Sequence, residues 1–335
     1  MKIHRMGWTG LKVSEICLGT MTFGNQCDEA TSFAIMDRAA EGGINFIDTA
    51  DGYPLGGGPE TKGRTEEIVG SWLKGKRQQF VLATKVNAAM SDRPNDRGLS
   101  RRHIIEACEA SLRRLQTDFI DLYQCHAPDP ETPIDETLRA LDDLVHAGKV
   151  RYLGCSNYQA WELAKALWTS DKLGLARFDC AQPRYNILFR VIEEEILPLC
   201  RDQGVGVIVY NPLAGGFLTG RYQPGQAPEA GTRFTLGSGA GTRYRQRYWE
   251  EAQFQAVEDL KGFFSPRHRS LTHVAIAWTL AQPGITSAIV GASRPEQLAD
   301  SLGAVGQTLD AEEMAFINSV WYRLPRSDNP AVALR

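Results

Sequence analysis

The chain has 335 residues, with 37 Lys and Arg against 40 Asp and Glu, a formal net charge of −3, 43% hydrophobic residues and 23% charged residues. Those values are ordinary for a folded protein and exclude a disordered chain, a collagen-like repeat and a small disulfide-stapled scaffold. A chain this long can bury a large core unaided, and it lacks the overall positive charge of a nucleic-acid binder.

The elements follow in chain order. Lys2 to Arg5 and Lys12 to Ser14 flank Gly7-Trp8-Thr9-Gly10, which predicts a hairpin. Eight β-rich runs come next: Glu15 to Gly19, Asn45 to Thr49, Phe80 to Val86, Phe119 to His126, Arg151 to Ser156, Asp179 to Gln182, Val205 to Tyr210 and Ser287 to Gly291. They show little clean alternation, as expected of parallel strands covered on both faces. Helical spacing lies between them. Ala107, Ser111, Leu112 and Leu115 follow Ser100, a good N-cap. Leu138, Leu141, Leu144 and Val145 run to a stop near Gly148. A helix Leu271 to Gln282 is stopped by Pro283-Gly284.

Repeats of about 30 to 40 residues are the size of a βα unit. Eight of them in βα alternation predict an α/β chain folded as a (β/α)8 TIM barrel. A Rossmann domain needs G-x-G-x-x-G after its first strand; here that strand runs into Gly19-Thr-Met-Thr-Phe-Gly24. The expectation is one domain over 1–335, with an N-terminal hairpin (1–14), a long loop after the seventh strand (211–250) and a C-terminal helix and tail (306–335). The segment from Pro212 to about Gln246 is rich in Gly, Pro and Arg and includes Arg243-Tyr244-Arg245-Gln246-Arg247. A long loop in a compact domain reads as a functional lid or a disordered segment, with a solvated loop plus helix start as the plainer alternative. As a nucleic-acid patch this basic stretch is too short and has no recognised module around it.

The N-terminus has no apolar signal core, and no run of about 18 apolar residues occurs. The cysteines Cys17, Cys27, Cys108, Cys125, Cys155, Cys180 and Cys200 are odd in number and contain no C-x-x-C pair. The expectation is a cytoplasmic chain with reduced thiols and no membrane or nucleic-acid partner.

In this fold the active site gathers at the C-terminal ends of the strands. Asp48, Lys85 and His126 close the second, third and fourth strands, and Tyr53 follows Asp48 by five residues. Singly, each has a structural explanation: a turn cap, a snorkelling lysine, a satisfied core histidine. Together on one rim they form a device for moving a proton at an oxygen. Free tyrosine, with a pKa near 10, is a poor proton shuttle at neutral pH, and a neighbouring ammonium is expected to lower that value. No metal is expected, because His126 has no second His or Cys at ligand spacing. Ser293-Arg294-Pro295-Glu296 reads as a capping box starting a helix to Leu302, with Arg294 making its N-terminus an anion site.

These motifs resemble the aldo-keto reductase family. The resemblance rests on Asn-Phe-Ile-Asp-Thr-Ala-Asp-Gly-Tyr, the Thr84-Lys85 pair, Asp-Leu-Tyr-Gln-Cys-His and Gly148-Lys-Val-Arg-Tyr-Leu-Gly-Cys-Ser-Asn157. It continues through Gln182-Pro-Arg-Tyr-Asn, Tyr210-Asn-Pro-Leu-Ala and Gly291-Ala-Ser-Arg-Pro-Glu-Gln, in family order over nearly the whole chain. It implies reduction of aldehydes or ketones with NADP(H), NAD(H) being the weaker alternative, with Tyr53 as acid/base and Asp48, Lys85 and His126 assisting. By the same resemblance Ser156, Asn157 and Gln182 hold the nicotinamide carboxamide and Tyr210 stacks on its ring. Leu213 to Gly216 track the pyrophosphate, and Ser293 and Arg294 take the 2′-phosphate. Asn211, Gly291 and Gln297 complete the cofactor contacts. Many relatives carry Glu-Asn where this chain has Asp300-Ser301, so adenine contacts are expected to differ.

The substrate walls are expected at Met21, Phe23, Pro54 to Thr61, Ala127 to Thr132, the loop after Tyr210, and Trp321-Tyr322. The combination resembles the bacterial branch that includes potassium-channel β-subunit-like reductases. A cofactor-sensing regulatory subunit, or a homo-oligomer, therefore stays open beside a small-molecule carbonyl reductase.

Overall fold

The computed structural model describes residues 1–325. β1 (Ile3–Arg5) and β2 (Lys12–Ser14) pair antiparallel as the expected hairpin. The chain then runs β3 (Ile16–Gly19), α1 (Glu29–Glu41), β4 (Phe46–Asp48), α2 (Arg64–Leu73), β5 (Val81–Val86), α3 (Arg101–Leu115), β6 (Ile120–Cys125) and α4 (Ile134–His146). It continues through β7 (Val150–Ser156), α5 (Ala160–Leu173), β8 (Phe178–Gln182), α6 (Ile196–Gln203) and β9 (Gly206–Val209). The last elements are α7 (Ala240–Tyr248), α8 (Glu251–Phe264), α9 (Leu271–Ala281), β10 (Ile285–Gly291), α10 (Pro295–Leu302) and α11 (Ala311–Arg323). Strands β3 to β10 close into a parallel barrel, β10 pairing with both β3 and β9. This is the (β/α)8 fold expected from the alternation.

The strand pleat divides the core in two. Cys17, Phe46, Val81, Ala83, Leu122, Cys180, Ile208 and Ile289 pack together inside the barrel. Their sequence neighbours, such as Ile16, Leu18, Ile47 and Leu82, pack outward against the helices. Side chains alternate across a strand, so both faces of each strand are apolar and no polar alternation shows in the sequence. The hairpin closes the bottom: Met6 is buried in the inner cluster, and the Trp8 N–H donates to the Gly204 carbonyl at 2.8 Å. Gly7 has φ +52°, and a Cβ there would stand 2.2 Å from Gly204 O, so this approach demands glycine.

Three expectations are corrected. Residues 211–250 are not a bare loop. They hold short 3₁₀ turns at Ala214–Thr219 and Arg233–Thr235 and the helix α7, which takes in the whole basic stretch Arg243 to Arg247. Aromatic packing orders the segment: Phe234 lies 4.8 Å from Trp249 and Phe217 lies 4.9 Å from Phe254, centroid to centroid.

Ser293 does not cap α10. The helix starts at Pro295 with Arg294 at the cap position, because proline suits the first helical position and needs no N–H partner there. Ser293 instead donates its N–H and its hydroxyl to Gln297 Oε1, at 2.9 and 3.1 Å.

Trp321 and Tyr322 belong to α11, not to a tail over the site. Phe316 of that helix stacks on Phe263 of α8 at 4.0 Å. Residues 326–335 of the expected tail lie outside the described residues.

Candidate active site

The site is the continuation of the barrel's inner face. Phe46, Ala83, Leu122, Cys180 and Ile208 point inward. Two residues further along, the same face presents Asp48, Lys85, Gln124, Gln182 and Tyr210. In β7 the corresponding positions are Gly154 and Ser156, and a Cβ on Gly154 would stand 2.9 Å from the Gln124 side chain. Polar groups thus replace apolar ones at the C-terminal ends of β4 to β9, while β3 and β10 end in Gly19 and Gly291. Register keeps these ends level, with Gly19 opposite Asp48, Lys85 opposite Gln124 and Ser156 opposite Gln182.

Lys85 and Asp48 are both buried and form an ion pair of 2.5 Å. Lys85 Nζ also donates to the Thr49 carbonyl at 2.8 Å. The second oxygen of Asp48 accepts from Gln182 Nε2 at 2.9 Å and from Gln124 Nε2 at 3.1 Å. A buried carboxylate needs this many partners. Lys85 Nζ stands 5.0 Å from the centroid of the Tyr53 ring, and His126 meets that ring edge-on at 5.7 Å. All four residues expected at the rim therefore meet.

Their electrostatics differ in one respect from expectation. Burial raises the Tyr53 phenol above its ordinary value, and the Lys85 charge offsets this only in part. The tyrosine is accordingly held protonated. Burial alone would depress Lys85, but Asp48 and Tyr53 more than compensate and its pKa is raised. His126 is lowered to about 3, by burial first and then by the charges of Lys85 and Arg243, so its ring is neutral.

The adjoining strand ends carry a second network. Tyr210 donates its hydroxyl to Asn157 Oδ1 at 2.7 Å, and Asn157 Nδ2 donates to the His126 carbonyl at 2.8 Å. Ser156 Oγ donates to the Gln182 carbonyl at 2.8 Å. Asn157 and Asn211 both have φ of +61°, a conformation asparagine tolerates. Beyond β9, Ala214, Gly215 and Gly216 are left-handed in succession. Ser293, Arg294 and Gln297 lie farther out. Ser293 and Arg294 line an open groove of about 590 Å³ with Gly24, Gln26, Asp28 and Arg64. Phe23, expected as a pocket wall, is instead buried in the outer core.

Several site groups escaped the sequence reading. Gln124 stands two residues after Leu122, whose inward facing only the structure shows. Asp51 is fully buried, and burial raises it to about 8, with Glu66 adding repulsion that the Gly52 and Asn87 backbone N–H groups offset only in part. Arg221 and Arg233 flank Gly215 and Gly216. Arg233 Cγ is 3.3 Å from where a Gly215 Cβ would lie, and Arg221 Nη2 is 3.7 Å from the same point on Gly216. Nothing local in the sequence indicates that approach.

Fold and site together define a closed (β/α)8 barrel with a buried Asp-Lys-Tyr-His cluster at the C-terminal mouth, the place where barrel enzymes carry their chemistry. The family model described as "Aldo/keto reductase family" matches residues 15–322. The chain is 41% identical over 331 residues to the uncharacterized oxidoreductase YrpG of Bacillus subtilis, covering 96% of each. It is 36% identical over 310 residues to a probable voltage-gated potassium channel subunit beta of Arabidopsis thaliana, covering 91% of each. It is 35% identical over 323 residues to the aldo-keto reductase YhdN of Bacillus subtilis, covering 93% of this chain and 91% of that one. The chain belongs to the aldo/keto reductase family. Its class is that of oxidoreductases acting on carbonyl compounds, which generally use nicotinamide cofactors. Among the described residues no helix is long and apolar enough to cross a membrane, and no three His, Cys, Asp or Glu side chains are grouped to hold a metal ion.

Proposed function

We propose that the protein reduces an aldehyde or ketone to its alcohol with NADPH, Tyr53 giving the proton to the carbonyl oxygen. The convergence of Tyr53, Lys85, Asp48 and His126 carries this reading. When bound, the reduced nicotinamide supplies a hydride to the carbonyl carbon while the C=O π pair moves to oxygen. Tyr53, kept protonated by burial, delivers the proton to that oxygen. The tyrosinate left behind faces the Lys85 ammonium, which compensates its charge. Asp48 holds Lys85 charged and in place, and Gln124 and Gln182 hold Asp48. Neutral His126 has one ring N–H to orient the substrate oxygen. In the reverse direction the same groups take the proton from an alcohol.

The residues present fit a dinucleotide. Asn211 Nδ2 and Arg233 Nη1 are buried without a hydrogen-bond partner. Ala214 to Gly216 form a left-handed turn between Arg221 and Arg233. The Ala214 and Gly216 N–H groups already donate to the Asn211 and Leu213 carbonyls, so the two guanidiniums make the turn an anion cradle. That cradle suits the diphosphate. Tyr210, Asn157, Ser156 and Gln182 border the nicotinamide end, where an amide needs both donors and acceptors. Exposed Arg294 at the outer groove suits a 2′-phosphate, which favours NADPH over NADH. Asn211, Leu213, Gly216, Gly291, Ser293 and Gln297 complete the proposed contacts.

A fluorescence titration with NADPH and NADH, followed by a carbonyl panel, tests the reading. Failure to bind either cofactor overturns it. The channel-subunit relatives favour a second reading, a barrel that senses nicotinamide redox state while bound to a protein partner. Cofactor binding without turnover on any carbonyl, together with one stable protein partner, selects that reading.

A further inference from the structure

The segment between Arg221 and Trp249 holds five arginines and one acid, Glu229, in a chain whose net charge is −3. It is anchored across the mouth of the site. On one side Ser238 Oγ donates to the Gly57 carbonyl at 2.7 Å, in the loop that follows Tyr53. On the other, Tyr244 Oη donates to Asn211 Oδ1 at 3.0 Å, and Asn186 Nδ2 donates to Tyr248 Oη at 3.1 Å. Helix α7 therefore spans the gap between the Tyr53 loop and the end of β9.

The arginines of this segment divide by what they touch. Arg221 and Arg233 flank the Gly215–Gly216 turn. Arg245 is tied to the Phe234 carbonyl and to Thr242 Oγ1. Arg243 and Arg247 stand one turn apart on α7, as neighbours on one helical face. Neither forms an ion pair among the described residues; Arg247 lies 5.9 Å over the Tyr244 ring. Arg243 is exposed and acts electrostatically on His126, while Arg247 acts on Tyr210 and on Arg184. The pair is thus carried on the helix that the Ser238 and Tyr244 hydrogen bonds anchor across the mouth. Like charges gathered at a partly desolvated mouth repel one another, and an anion between them relieves that repulsion. On the reading above, the cofactor's own anions are already met by Arg221, Arg233 and Arg294. This pair is left for the substrate.

We propose that the carbonyl substrate carries an anionic group, a carboxylate or a phosphate, held by Arg243 and Arg247 while its carbonyl oxygen reaches Tyr53 and His126. The inference rests on the reductase reading and names the substrate class for it. A planar guanidinium fork suits either anion.

The test uses the full chain with NADPH and three aldehydes of similar shape: 4-carboxybenzaldehyde, 4-formylphenyl phosphate and the uncharged methyl 4-formylbenzoate. The expected result is a kcat/KM for one or both anions at least about tenfold above the ester. Which anion leads identifies the group. That preference should shrink as salt is raised from about 0.02 to 0.5 M, whereas the ester should respond weakly. Arg243→Gln and Arg247→Gln should each reduce the anion-to-ester ratio several-fold, chiefly through KM, and Arg247→Lys should restore part of it. An anion-to-ester ratio at or below one in the wild-type chain overturns the inference and leaves the reductase reading standing. So does a preference that neither salt nor the variants diminish. No turnover of any of the three, in a chain that binds NADPH, removes both.

Discussion

The ammonium of Lys85 lies 2.5 Å from Oδ1 of Asp48, and the lysine side chain is completely shut off from solvent. Breaking a buried pair from one side leaves an uncompensated charge, which typically costs about 3–5 kcal/mol. Lys85→Met should therefore lower stability by about that much as well as abolish turnover. Urea unfolding of the variant checks it. A loss below about 1 kcal/mol would mean that Gln124 and Gln182 alone can carry the Asp48 charge.

Tyr53→Phe removes the proton donor and leaves the ring. Proton transfer by a positioned side chain contributes about 10²- to 10⁴-fold. The variant should lose that much in kcat while NADPH affinity, read by fluorescence, stays within a few-fold of wild type. Retention of most of the rate would reassign the proton to another group.

Two buried groups pull stability in opposite directions with pH. Asp51 is raised to about 8 from the ordinary aspartate value of 3.8, so the folded chain binds the extra proton between those values. Stability from this group is present at low pH and erodes as pH climbs from about 4 to 8. His126 is lowered to about 3 from 6.5, so the unfolded chain binds the extra proton, and stability is lost as pH falls through that window. Asp51→Asn should remove the first dependence and raise the melting temperature more at pH 8.5 than at pH 5. The gain at the higher pH is on the order of a few kcal/mol. An identical change at both pH values would show that Asp51 is not protonated in the folded chain.

The two serines once equivalent as helix starts should separate in stability. Ser100 accepts from the His103 N–H at the head of α3, whereas Ser293 lies outside the cap position of α10. Ser100→Ala should cost about 1 kcal/mol, and Ser293→Ala should stay within about 0.5 kcal/mol. Equal losses by chemical denaturation would restore Ser293 as a cap.

Arg294 is exposed and forms no ion pair among the described residues. Arg294→Ala should weaken NADPH binding about tenfold or more and leave NADH nearly unaffected, because only NADPH carries the 2′-phosphate. Parallel titrations read the ratio directly. A matching loss for both cofactors would place the 2′-phosphate elsewhere.

The barrel was legible in the sequence because the strands are β-rich, largely apolar runs and most βα units have a similar length. Asp48, Lys85 and His126 stood out for the same reason: a charge that ends such a run needs a partner. Which strand face points inward, aligning Phe46 with Asp48 and Leu122 with Gln124, showed only in the structure, because both faces of each strand are apolar. What only the tertiary structure decided was which distant groups share one volume. Burial, not the Lys85 charge, sets the balance at Tyr53, because desolvation depends on everything packed around the ring. Pro295, not Ser293, starts α10. The segment 211–250 takes up a helix because its aromatics find one another across tens of residues. Its arginines reach the catalytic mouth for the same reason: local pattern encodes the faces of strands and helices, while closure of the barrel determines what those faces meet.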